Sequence, residues 1–280
     1  MNGKGRALVL GGGGVAGIAW LTGVLAGLAR GGTDVTGADL LIGTSAGAVV
    51  AAQVGSGLPV EELLARQADP ALQNREAVPS RGLTGTEFAE IWMRLAEDSD
   101  DDAAMRRALG ARALAADTVP EAERRAVIEG RLPAHEWPDR DLWVTAVNAL
   151  TGDLRVFDRD SRVPLVDAVA ASCAVPMVWP PVTIGSVRYV DGGVRSLNNL
   201  DLATGHERVL VLSPMEDPGL AADIETVTDS GGRVEVIVPD EASRAAFGTD
   251  PLDPSTRTPA AKAGLAQGTT QAATIASFWG

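Results

Sequence analysis

The chain has 280 residues, of which 45% are hydrophobic and 22% charged, values ordinary for a globular protein with a large core. Its formal net charge of −13 argues against a nucleic-acid partner and against purely electrostatic docking on anionic lipid, because both surfaces would repel it. Cys173 is the single cysteine, which excludes an internal disulfide and a thiolate cluster for zinc.

The beginning of the chain shows no targeting signal. Residues 1–6 run directly into the apolar segment Ala7–Leu10, without the long apolar region and cleavage site of a signal peptide. Polar residues or glycines interrupt every stretch that could otherwise span a bilayer. We therefore expect a soluble protein of a reducing compartment, in the cytoplasm.

Residues 6–57 have the pattern of a strand, a glycine loop, a helix, a second strand, a tight turn and a second helix, which is typical of α/β proteins. The first helix is predicted over about 15–29, where apolar residues recur at helical spacing. It is expected to end at Gly31 and Gly32, since glycine commonly terminates helices.

The glycine loop, residues 11–17, has two chemical interpretations. Its glycines let several backbone N–H groups turn toward one point at a helix N-terminus, which favours negative charge. Gly12, Gly14 and Gly17 match the dinucleotide fingerprint, and Asp34 lies near the spacing of a ribose-binding acid. The same N–H groups would suit an oxyanion hole. A glycine turn that only packs a helix on a sheet is disfavoured by four consecutive glycines.

Gly43–Gly47, with the sequence Gly-Thr-Ser-Ala-Gly, stands between a predicted strand and a predicted helix. This is the context of a nucleophile elbow, in which flanking glycines let strand and helix crowd together while the serine points into open space. Ser45 is therefore a candidate nucleophile. A dinucleotide site would give Ser45 no role, so the elbow favours the oxyanion interpretation of the glycine loop.

Residues from about 58 to 138 predict a helical insertion, with helices over 60–68, 85–97, 101–116 and 120–130 and no strand. The acidic run 97–102 does not have the spacing of an EF-hand loop, and we predict no metal site.

Strand patterns return after the insertion. The sequence predicts a hairpin of 142–147 and 154–157, a helix over 163–173, short strands over 187–190, 209–212 and 234–238, and a final helix over 258–278. The whole chain, residues 1–280, is predicted to be one α/β domain with a helical insertion.

A serine nucleophile needs a base, and the chain has two histidines. His135 and His206 both lie in polar turns, where a solvated side chain is the simpler explanation, although His206 comes late enough in the chain for the order Ser, Asp, His of a triad. Asp191 instead ends a predicted strand and is followed by Gly192 and Gly193, at the edge where α/β sheets place functional groups.

Together, the glycine loop, Gly43–Gly47 and Asp191–Gly193 resemble the motifs of the patatin-like phospholipase family. Residues 171–176 and 179–182 also look like the stretch that precedes the family's aspartate. The resemblance covers roughly residues 6–205. It implies a three-layer α/β/α fold with a central, mostly parallel sheet.

The resemblance also implies a site. Ser45 would attack an ester carbonyl and Asp191 would accept its proton, with no histidine, metal or cofactor. The N–H groups of Gly12, Gly13, Gly14 and Ala46 would hold the oxyanion. Because an exposed carboxylate is a weak base, we predict that Asp191 is buried and faces Ser45.

Two positions depart from the family's pattern and bear on substrate preference. Ala16 stands where the family usually has Arg or Lys, and residues 196–199 read Ser-Leu-Asn-Asn where Asn-Pro is frequent.

The leading hypothesis is a serine hydrolase acting on carboxylic esters of lipids, with a lipid or other acyl ester as substrate and transient contact with a membrane surface. Its rivals are a nucleotide-binding oxidoreductase that uses the glycine loop, and a catalytically inactive binding protein. Oligomeric state is left open.

Overall fold

The computed structural model describes residues 4–77 and 85–280. The strands are β1 (Lys4–Leu10), β2 (Leu40–Gly43), β3 (Asp141–Asn148), β4 (Leu154–Phe157), β5 (Val182–Ile184), β6 (Val187–Asp191), β7 (His206–Leu212) and β8 (Arg233–Ile237). The helices are α1 (Gly14–Arg30), α2 (Ala46–Gly55), α3 (Val60–Ala68), α4 (Gly85–Glu97), α5 (Asp102–Ala115), α6 (Glu121–Arg131), α7 (Leu165–Ser172), α8 (Leu220–Asp229), α9 (Glu241–Phe247) and α10 (Arg257–Trp279).

The strands form a mixed, mostly parallel sheet, hydrogen-bonded in the order β5-β6-β3-β2-β1-β7-β8, with β4 also paired to β3. Strands β3, β2, β1, β7 and β8 run parallel. Strands β4, β5 and β6 form antiparallel pairs. The predicted hairpin of β3 and β4 and the predicted mostly parallel sheet are confirmed.

Strand β3 brings two strand ends together. It pairs with β4 over Val144–Val147, so β4 occupies one edge of β3. β2 and β6 must share the other edge, where Gly43 lies opposite Val144 and Asp191 opposite Ala146. Since β6 runs antiparallel to β3 and β2 runs parallel to it, the carboxyl ends of β2 and β6 meet. This register sets the distance between Ser45 and Asp191.

Alternating side chains of the parallel strands supply two hydrophobic layers, as the period of a strand requires. Leu8 and Leu10 of β1 pack with α1, α2, α7 and α10 on one face. Ala7 and Val9 pack on the opposite face with Val227 of α8 and the short turn Leu200–Ala203. The chain is therefore built in three layers, with the sheet in the middle.

Helices α1 and α10 touch backbone to backbone at paired glycines. A Cβ on Gly264 would lie 2.4 Å from the carbonyl oxygen of Trp20, and one on Gly268 would lie 2.3 Å from that of Val24. These small residues let the last helix pack closely against α1.

The predicted helices of the insertion agree with α3–α6, and no strand occurs between β2 and β3 in the described residues 44–77 and 85–140. Helices α8 and α9 and strand β5 were not predicted. β5 has three residues, and α8 has Val227 as its one buried residue, so neither carries a clear apolar pattern. Within the described residues, no helix combines the length and apolarity needed to cross a bilayer.

The contact of α1 with α10 gives a test of packing. Gly264→Ala should destabilise the protein by about 1–3 kcal/mol, because its Cβ would overlap the Trp20 backbone. Gly130→Ala in α6 is the matched control, since nothing lies within 4 Å of its added Cβ. We expect the control to unfold at the same temperature as wild type or higher, and a similar Tm for both variants would contradict the packing argument.

Candidate active site

Ser45 occupies a sharp turn between β2 and α2. Its backbone has φ 53° and ψ −114°, a positive φ that is uncommon for residues other than glycine. The turn is possible because the residues two before and two after Ser45 are glycines. A Cβ on Gly47 would lie 1.8 Å from Leu10 O, and one on Gly43 would lie 2.5 Å from the Cα of Ala48. The geometry is that of a nucleophile elbow.

Helix α7 holds the backbone of the turn. The Ser45 N–H donates to the Ser172 hydroxyl at 2.9 Å, and the Cys173 thiol donates to the Ser45 carbonyl at 3.3 Å. Burial raises the pKa of Cys173 to about 12, so the thiol stays protonated as a donor. Ser45 begins α2 without using its hydroxyl as a cap, which leaves that hydroxyl free.

Asp191 ends β6 and is 4% exposed. Its Oδ1 accepts the Gly193 N–H at 2.8 Å. Burial raises its pKa to about 7, although the Gly193 N–H, the Ser45 hydroxyl and the charge of Arg124 each favour the ionised form. Oδ2 has no partner of good hydrogen-bond geometry, so the contact with Ser45 is a weak hydrogen bond, as is common in active sites without substrate. The predicted burial of Asp191 beside Ser45 is confirmed.

A buried amide connects the two sides of the site. Asn199 Nδ2 donates to Thr44 Oγ1 at 3.0 Å and to Ser196 O at 2.7 Å. Thr44 Oγ1 lies 2.8 Å from Thr145 Oγ1 on β3, and a Cβ on Gly192 would lie 2.3 Å from that same hydroxyl oxygen. Asn199 thus fixes the turn after Asp191 against the elbow, a role that residue type alone did not indicate.

The glycine loop lies beside Ser45 and presents free donors. A Cβ on Gly12 would lie 3.6 Å from that of Ser45. The Gly12 N–H already donates to Leu197 O at 2.9 Å. In the part of the chain that the structure describes, no acceptor is bonded to the N–H groups of Gly13, Gly14 or Ala46. These last three groups are therefore available at the N-termini of α1 and α2.

The remaining motif glycine, Gly17, brings the two helices together. A Cβ on it would lie 3.4 Å from the Cβ of Ala46, and its N–H donates to Gly13 O at 2.8 Å. The free N–H groups of the loop and of the elbow therefore belong to helices that pack against each other.

The acid required by a dinucleotide site lies elsewhere. Asp34 follows α1 and precedes β2, at the opposite edge of the sheet from the glycine loop. The 17 residues of α1 separate them by about 25 Å. Asp34 instead accepts hydrogen bonds from the N–H and hydroxyl of Thr36.

Neither histidine reaches Ser45. His135 is half-exposed and contacts Glu129. The prediction of a solvated turn residue is wrong for His206, which is 5% exposed at the start of β7. It pairs there with Lys4, and its Nδ1 lies 3.0 Å from Ala203 O. Ser45 lies near Gly43, which pairs with Leu10 at the opposite end of β1. The length of β1, about 20 Å, therefore separates His206 from Ser45.

Within residues 4–77 and 85–280, no three His, Cys, Asp or Glu side chains are placed to hold a metal ion together. Arg124 of α6 is near enough for its charge to act on Asp191, and the sequence pattern did not single it out.

The fold is that of an α/β protein with a central, mostly parallel sheet, and Ser45 lies in a sharp turn between a strand and a helix. The chain belongs to the patatin-like phospholipase family, whose sequence model matches residues 8–204. The family resemblance drawn from the motifs is thereby confirmed, and it puts the chain among lipid acyl hydrolases.

VipD and ExoU are two of the solved structures that are similar to this chain. VipD from Legionella pneumophila has 15% identity and a TM-score of 0.49, over 98% of this chain and 67% of that one. The type III effector protein ExoU has 12% identity and a TM-score of 0.41, over 97% of this chain and 53% of that one. This chain thus spans about half the length of ExoU. No curated protein matches the sequence.

The buried carboxyl predicts a pH-dependent effect of Asp191→Asn on stability. The pKa of Asp191 is about 7 in the folded protein against 3.8 ordinarily, so between these values the folded state holds one more proton than the unfolded state. Wild-type stability is therefore lost as pH rises toward 7, whereas the asparagine variant has no such loss. In urea unfolding, the free energy of unfolding of Asp191→Asn minus that of wild type should increase from pH 5 to pH 8. A difference that stays constant over this range would contradict the burial argument.

Proposed function

We propose that this protein hydrolyses carboxylic ester bonds of lipids through a dyad of Ser45 and Asp191. One observation carries the proposal. A serine with a strained backbone, whose hydroxyl caps no helix, faces a buried carboxyl group that has one oxygen without a hydrogen bond of good geometry. Structural aspartates are normally fully hydrogen-bonded when buried, so this pair calls for a chemical role.

In the proposed reaction, the Ser45 hydroxyl oxygen attacks the ester carbonyl carbon while its proton passes to Asp191. A pKa near 7 suits this task, because a large fraction of the carboxyl group is ionised at neutral pH and the carboxylate is more basic than that of an exposed aspartate. The tetrahedral intermediate then expels the alcohol, which takes the proton from Asp191. Water, deprotonated by Asp191, hydrolyses the acyl-serine and releases the fatty acid.

The negative charge of the tetrahedral intermediate needs donors fixed in advance. The free N–H groups of Gly13, Gly14 and Ala46 are suited to this role, and the N-termini of α1 and α2 add a favourable dipole. Gly12 shapes the loop instead, because Leu197 already accepts its N–H. We therefore assign the oxyanion hole to Gly13, Gly14 and Ala46.

The substrate class follows from the family together with this dyad. A phospholipid or another acyl ester would supply the carbonyl, and access to it would require transient contact with a lipid surface. The net charge of −13 makes apolar contact the more favourable mode of approach. The oxidoreductase alternative requires an acid near the glycine loop to bind a ribose. Asp34 does not meet this requirement, because it lies at the opposite end of α1 from the loop.

Hydrolysis of p-nitrophenyl butyrate tests the dyad. Ser45→Ala should abolish turnover and labelling by a fluorophosphonate, and Asp191→Asn should reduce kcat by about 10²–10⁴-fold, since a general base contributes that much. His135→Gln is the matched control and should retain the wild-type rate.

An inactive wild-type protein would favour the binding-protein alternative. Near-normal turnover by Asp191→Asn would exclude the dyad even if Ser45 reacted.

A further inference from the structure

Leu197 is an apolar residue that lies beside both members of the proposed dyad. A Cβ on Gly12 would lie 3.5 Å from Leu197 Cδ2 and 3.6 Å from Ser45 Cβ. A Cβ on Gly193 would lie 3.3 Å from the same Cδ2 and 3.1 Å from Asp191 Oδ1. Because the two glycines that face it have no side chains, this methyl group borders the space next to Ser45 and Asp191.

Hydrogen bonds fix the backbone that carries this side chain. Leu197 O accepts the Gly12 N–H at 2.9 Å. The next residue, Asn198, is fully buried, and its Nδ2 donates to Ser213 Oγ at 3.1 Å and to Asp217 Oδ2 at 2.9 Å. The position of Leu197 relative to the glycine loop is therefore set by the fold, so its side chain forms a fixed border of the site.

Core packing does not account for this location. Leu197 is half-buried, and within the part of the chain that the structure describes it belongs to none of the apolar clusters of the core. Leu200, three residues later, is by contrast fully buried and packs in the same layer as Val9. Apolar side chains outside the core that border a reactive group are typical of the lining of a substrate site.

The proposed reaction puts the alcohol part of the ester on the side of Asp191. The departing alcohol takes its proton from Asp191, so its oxygen must come within hydrogen-bond distance of that carboxyl group, about 3 Å. The carbon bonded to this oxygen then lies in the space that Leu197 Cδ2 borders. That carbon has one carbon substituent in a primary alcohol and two in a secondary alcohol. The second substituent would compete with the methyl group of Leu197 for space.

We propose that Leu197 selects esters of primary alcohols, because its side chain blocks branching at the carbon that bears the leaving oxygen. The inference rests on the proposed function and adds to it the structure of the alcohol. In a glycerolipid, the two outer carbons of glycerol bear primary hydroxyl groups and the central carbon bears a secondary one. The ester at an outer position is therefore the one that fits the site.

Propyl butyrate and isopropyl butyrate test this inference, because they are isomers that differ only in the branching of the alcohol. Alkyl esters are required, since a p-nitrophenyl group is flat and leaves as an anion without a proton from Asp191. We would measure kcat/KM for both esters by titration of the released acid, for wild type and Leu197→Ala. The ratio of the two values, isopropyl over propyl, should rise at least about tenfold in the variant, as expected when a pocket gains room for one carbon.

Leu252→Ala is the matched control. Leu252 also borders the glycine loop, but its Cδ2 would lie 3.0 Å from a Cβ on Gly14, at the start of α1 rather than at the turn after Asp191. This variant should leave the ratio of the two esters unchanged, whatever its effect on the rate. If Leu197→Ala fails to fold, Leu197→Val removes a single carbon and should still raise the ratio, by a smaller factor.

An unchanged ratio in both Leu197 variants, including one that results from equal losses on the two esters, would overturn the inference. An equal rise of the ratio in Leu252→Ala would overturn it too, because the effect would not depend on a position beside Asp191. Failure of the proposed dyad would be seen in a different variant: Ser45→Ala would then retain turnover of propyl butyrate.

Discussion

The register of β3 is the constraint on which the site depends. One edge of this strand is occupied by β4, and the other is shared by two strands that approach from opposite directions. Ser45 leaves the end of β2 and Asp191 lies at the end of β6, so their proximity is a property of backbone pairing. A shift of β6 by one residue would turn Asp191 to the other face of the sheet. No flexible loop has to bring the two side chains together.

Both Ser45 and Asp191 are in conformations or environments that cost free energy. Ser45 has a positive φ, and Asp191 is a buried carboxyl that is ionised only at a cost in free energy. Buried contacts hold both in place: Ser172 and Cys173 bind the backbone of Ser45, while Asn199 ties Thr44 to the turn after Asp191. Strain and an incompletely hydrogen-bonded carboxyl group persist because the layers around them are well packed, which is typical of sites selected for chemistry.

Much of this arrangement is predictable from sequence. The elbow, the glycine loop and Asp191 each have glycines beside them in the sequence, which indicate a tight turn. The apolar residues of the core helices and strands also recur at the spacing expected for each element. Asn199 and Ser172 were not predicted, because their roles arise from contacts across long stretches of sequence. The same is true of Arg124, which looks like any helical arginine until burial beside Trp179 is known. The engaged N–H of Gly12 likewise depends on Leu197, far along the chain.

The pH dependence of Ser45 labelling tests the central claim most directly. The rate of reaction with a fluorophosphonate should rise with pH along a single titration with a midpoint near 7, because Asp191 must be ionised to accept the serine proton. Asp191→Asn should abolish this titration along with most of the rate. A wild-type rate that is independent of pH between 5 and 9, or a titration that survives in Asp191→Asn, would contradict the dyad.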